Sequence, residues 1–179
     1  MMLQAVNTLS GTGEMPVEAA VLEKLAGRFR PGGLCVLLLR RDGSVAWHDP
    51  VAGAFFHRYV LPLVQQDAVL AEKIRRLPPD APVCVFDSLP GLVLAACPYI
   101  ERRQAISTIA LAARAGTFRL GEDVLRACNR LAIDSTWLGQ QADALPAYGR
   151  EALTRQASLL VAMLRDQVRL TGMEQDLNS

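Results

Sequence analysis

Three runs constrain this chain more than anything else in it: LCVLLL at 34–39, GLVLAAC at 91–97 and AISTIALAA at 105–113. Each is the length of a β-strand, and none carries a charge on either of its alternating faces. A strand of that kind is buried on both sides. A sheet made of such strands therefore needs two covering layers, drawn from middle helices, from the first or last helix, or from a second subunit. None of the runs approaches the ~18 apolar residues of a membrane span. The opening MMLQAVNTLSGTGEMP also lacks the charged-then-apolar pattern of a secretory signal. The expectation is a cytoplasmic protein.

Turn signals place the other elements. Residues 1–15 are polar, hold Gly11 and Gly13, and read as a flexible N-terminus. PVEAAVLEKLAGRF follows as a helix that Gly27 would end. Asp42-Gly43 predicts a tight hairpin in which both central residues take positive φ, with Val45–His48 as the return strand. The 52–77 stretch is helical in pattern, kinked or divided at Pro62. VCVFD (83–87) is a short strand. The 104–116 segment is rich in alanine and would make a helix on propensity alone. A strand is preferred, because a hairpin explains the charged turn ERRQ between two apolar runs. Pro98 in the preceding strand suits a sheet edge or bulge. From Gly121 onward the pattern is helical, with Asp134 or Ser135 as an N-cap and a long last helix beginning near Tyr148. Two hairpins flanking a helical insertion predict an α+β fold, an antiparallel sheet of about five strands with flanking helices. This is the element order of the PAS/GAF class of sensor folds, in which small molecules bind between sheet and helices.

With 51% apolar residues in 179, the chain can build a full core for one domain. Its net charge of +1 comes without a basic stripe, so nucleic acid is not an expected partner. Cys35, Cys84, Cys97 and Cys128 show no metal-finger spacing and read as reduced thiols; no metal or cofactor is expected. Catalytic motifs such as GxSxG, HExxH or a Walker loop are absent. His48, at a hairpin end, reads as a surface imidazole. His57 reads either as a helix histidine or as a polar group in a pocket. Trp47, Phe56, Tyr59, Phe86 and Tyr99 read as core or, with His57, Cys97 and Thr108, as the lining of a small-ligand cleft.

The chain resembles sensor domains of the PocR type, a variant of the PAS/GAF class. The resemblance covers roughly residues 18–170. It lies in RRDGSVAWHD followed by AFFHRYV, in DSLPGLVLAACPYI followed by RQAISTIALAARAG, and in LAIDSTWLGQQADALPAYGREALTRQASLLVAML. Relatives often carry a cysteine where this chain reads FFHRY, and Gly-Gln where it reads ARAG. The resemblance implies a non-catalytic input module of bacterial signalling, spanning 16–158, that senses a small organic metabolite.

Residues 159–179 read as a signalling helix. Met163, Leu170 and Leu177 recur every seven residues, with Leu160, Gln167 and Glu174 as the other seam positions. Polar Gln167 and Glu174 make the seam weak, and Gly172 costs about 1 kcal/mol of helix propensity. The expectation is a homodimer through this helix, running on to an output domain beyond Ser179. A ligand-free dimerisation scaffold is the alternative reading.

Overall fold

The computed structural model describes residues 19–100 and 106–178, so the expected loose N-terminus and the ERRQ turn lie outside the described residues. Helix α1 (Ala19–Phe29) buries Leu22, Leu25, Ala26 and Phe29, a single 3.6-residue stripe. It runs through Gly27, where a stop was expected. It ends in a 3-10 turn (Arg30–Gly32), which Gly33 closes at φ 76°.

Strands β1 (Cys35–Leu39) and β2 (Val45–His48) form the first hairpin. Its turn corrects the expectation, since only Gly43 has positive φ, at 86°. Asp42 Oδ1 accepts from the Ser44 N–H and hydroxyl, and the Gly43 N–H donates to Arg40 O. The aspartate side chain thus supplies a turn hydrogen bond, and Asp42 keeps an ordinary φ. A register slip between Leu38 and Leu39 absorbs the extra residue.

A π-helical segment (Phe56–Val60) leads into α2 (Leu61–Gln66), and the Leu61 N–H reaches back five residues to Phe56 O. Pro62 explains the widened turn: without an N–H it cannot bond Arg58 O, so the ladder loosens just upstream. Asp67 then caps α3 (Ala68–Arg75) by accepting from the Leu70 N–H. Strands β3 (Cys84–Phe86), β4 (Leu92–Tyr99) and β5 (Ser107–Arg114) follow. Helices α4 (Glu122–Leu131), α5 (Ser135–Asp143, N-capped by Asp134) and α6 (Arg150–Asn178) complete the chain.

The five strands are antiparallel in the order β2-β1-β5-β4-β3. The alanine-rich β5 is the centre, paired with β1 on one side and β4 on the other. Its small side chains suit that place, because both faces must admit a helix layer. Pro98 lies past the last β4 residue that β3 pairs, so its missing N–H interrupts no ladder there. The short strands β2 and β3 form the edges and are only half-buried.

Both faces are covered by this chain itself. Leu37, Leu39, Leu94, Ala96, Ala110 and Ala112 meet the layer of α2 to α5. Val36, Leu38, Val93, Ala95, Ile109 and Leu111 meet α1 and α6. Helix α6 buries Leu153, Ala157, Leu160, Val161 and Leu164. The expected boundary between 158 and 159 therefore falls inside one packed helix. Leu160, read as a seam position, belongs to the core: it is 1% exposed. The adjacent Leu159 is 51% exposed.

Candidate functional site

The eight side chains read as a pocket lining are divided between the two faces of the sheet. Trp47 pairs with Leu38, and with Cys97 and Tyr99 it packs in the α1/α6 layer. Phe56, Tyr59 and Phe86 lie in the layer of the middle helices. Thr108, buried, shares the strand phase of Ala110 and Ala112. His57 lines a small void on that side. So the structure does not bring the eight together.

The layer between sheet and middle helices is well filled. Phe55 and Phe56 meet edge to face, and Tyr59 is fully buried with its hydroxyl donating to Pro90 O at 2.9 Å. Burial raises the Tyr59 phenol well above its ordinary value. The void against His57 measures about 10 Å³, room for about one water. It is lined by Cys35, His48, Asp49, Phe56, His57 and Val60, among others. The two imidazoles stand edge to face, centroids 5.2 Å apart, so His48 is half-buried rather than a surface group.

Sequence reasoning missed the group beside them. Asp49 is completely buried, and accepts from Arg30 Nε at 2.8 Å and Nη2 at 2.7 Å and from the Val51 N–H at 3.0 Å. Burial alone would raise this carboxyl, but those hydrogen bonds and the guanidinium charge win and hold it below its usual range. The Cys35 thiol is pushed up to about 12, first by burial and then by the Asp49 charge. Such a thiol is not a nucleophile at neutral pH. Among the described residues no set of three His, Cys, Asp or Glu side chains is placed to hold a metal ion.

A larger hollow lies elsewhere, at the mouth between the β3–β4 turn and the β5–α4 loop. It is an open cleft of about 620 Å³. Leu89, Leu92 and Val124 supply apolar wall, while Asp87, Ser88, Thr117, Arg119 and Asp123 supply polar groups. Gly91 shapes it: at φ 69°, a Cβ there would stand 2.4 Å from Phe118. Phe118 in turn lies 5.7 Å from the Arg114 guanidinium, whose buried Nε has no hydrogen-bond partner. Among the described residues its lining has no histidine, cysteine or lysine. It can hydrogen-bond a small polar molecule.

This cleft is stitched to the root of α6. Asp87, on its wall, accepts from Arg150 Nη1 at 2.8 Å, and Arg150 is the first residue of that helix. The Tyr148 N–H donates to Arg114 O, and the Gly116 N–H to Tyr148 O. Ala115, also on the wall, bridges Tyr148 in parallel. No loop signal would have found this arrangement, because its members are scattered from 87 to 150. A second, shallower groove of about 660 Å³ runs between Val83–Val85 and the first turns of α6. No protein family, curated protein or solved structure matches the chain.

Proposed function

We propose that the chain is a non-catalytic input module of a bacterial signalling protein, of the PocR-like kind its sequence resembles. A small polar organic ligand binds in the β3–β4/β5–α4 cleft, and its occupancy is passed to α6. The observation that carries this reading is the shared wall: Asp87 and Ala115 line the cleft and also hold the Tyr148–Arg150 root of the long helix. The Arg150–Asp87 pair is exposed on both sides, so it is weak and easily exchanged for a ligand contact. Arg119 supplies a cation at the same wall for the ligand's acidic or carbonyl oxygens.

One observation favours a second reading, a ligand-free scaffold of the same fold: the layer where such folds hold their ligand is filled by this chain's own side chains. A thermal-shift screen of small polar metabolites separates the two. The sensor reading expects a compound class that raises Tm by roughly 5 °C at saturation, with the shift abolished in Arg119→Ala. Absence of any reproducible shift across the panel selects the scaffold.

A further inference from the structure

The cleft between the β3–β4 turn and the β5–α4 loop carries opposite charges that do not neutralise one another. Arg119 and Asp123 stand on its wall around Gly121: a Cβ on that glycine would lie 3.4 Å from Arg119 Nε and 3.6 Å from Asp123 Oδ1. Both side chains are exposed, and neither takes part in an ion pair among the described residues. Asp123 Oδ1 accepts from the Val124 N–H, which leaves Oδ2 open. The other carboxylate of the wall, Asp87, is already answered by Arg150. Gly121 opens α4 as an N-cap without a side-chain acceptor. Of the first four donors of that helix, the Val124 and Leu125 N–H groups have partners, and those of Glu122 and Asp123 have none. Arg114, the cross-strand partner of Leu92 on the cleft wall, adds a second guanidinium, and its buried Nε lacks an acceptor.

We propose that the cleft takes a free α-amino acid in its zwitterionic form. A simple anion at Arg119 would face the Asp123 carboxylate, and a simple cation at Asp123 would face the Arg119 guanidinium. Either one leaves a charged group of the wall unanswered. An α-amino acid carries both charges on one carbon, which matches a guanidinium and a carboxylate that reach toward one point. Its carboxylate accepts from Arg119 and from the open Glu122 and Asp123 N–H groups at the positive end of α4. Its ammonium donates to Asp123 Oδ2. Leu89, Leu92 and Val124 then offer their apolar wall to the ligand's side chain, which selects against a charged one. The inference rests on the reading of this cleft as a ligand site and names the ligand's class.

The test is isothermal titration of the full chain with the proteinogenic L-amino acids of uncharged side chain. The tightest is then compared with its deaminated acid and its decarboxylated amine. At least one amino acid is expected to bind with a Kd below about a millimolar, and loss of either charge should weaken binding by roughly tenfold or more. Asp123→Asn, which keeps an acceptor for the Val124 N–H, should weaken the amino acid by a similar factor and spare the deaminated acid. Arg119→Gln should weaken the amino acid and spare the decarboxylated amine. Analogues that bind as tightly as the amino acid overturn the proposal, as does amino-acid binding that neither substitution alters. If no amino acid binds while an uncharged polyol of the thermal-shift panel does, the zwitterion is overturned and the cleft keeps its sensor reading. If nothing in either experiment binds, both readings fall. Both substituted positions are exposed, and circular dichroism of each variant checks that the fold is retained.

Discussion

Asp49 shows how much one residue's surroundings decide. Its carboxylate is completely hidden, and Arg30, one-third exposed, answers it with two parallel hydrogen bonds. The pair ties the end of α1 to the end of β2. A buried pair of this kind is strongly destabilised by losing the partner that leaves a bare charge inside. Arg30→Ala should therefore cost about 3 kcal/mol at neutral pH, read from urea unfolding. The pH dependence should also change sign. In the native chain the Asp49 carboxyl is held below its unfolded value, so its contribution is present above about pH 4 and lost as pH falls through the folded value. Without Arg30, burial, the largest influence on this carboxyl, is opposed chiefly by the Val51 N–H and raises it above its unfolded value. The variant's penalty is then full at neutral pH and relieved as pH falls toward about 4. Parallel acid limbs in the two proteins would show that Arg30 does not govern Asp49.

Among the elements, the boundary between α4 and α5 carries a local misfit. Ala132 caps α4 in the left-handed region at φ 55°, the one non-glycine residue with positive φ among those described. Its N–H and that of Ile133 satisfy the last carbonyls of the helix, so the geometry is kept despite the Cβ. Ala132→Gly should gain about 0.5–1 kcal/mol, net of the entropy a new glycine adds to the unfolded chain, measured as a shift in the urea midpoint. What the sequence reveals about elements follows from how much contrast they carry. The apolar run at 34–39 announced a buried strand, while the alanine-rich 105–113 could be told from a helix only by the hairpin that its charged turn implies. The same uniformity hid which way each side chain points. A strand with no polar face gives no phase, so Trp47, Cys97 and Tyr99 could not be separated from Phe56, Tyr59 and Phe86 before the sheet was built. The cleft was harder still, since its polar groups come from two loops and one helix end with no common spacing.

The whole molecule is a two-faced sheet with a rod laid across one side. At 29 residues α6 is about 43 Å long, yet its buried stripe stops at Leu164. From the sequence alone, Leu159 and Leu160 each complete a heptad with Met163, Leu170 and Leu177. Only the sheet decides between them, by taking Leu160 for the core. That division can be measured. Leu160→Ala empties a filled site and should cost about 2–5 kcal/mol. Leu159→Ala should leave the monomer's stability within about 0.5 kcal/mol. Deleting residues 170–179 should do the same in dilute solution, because no side chain described in that stretch is buried. If the deletion lowered the urea midpoint of the monomer, the end of α6 would be part of the domain's own core. If it leaves the midpoint unchanged, the last turns are surplus to folding, and their exposed leucines and methionine are free for a contact outside the domain.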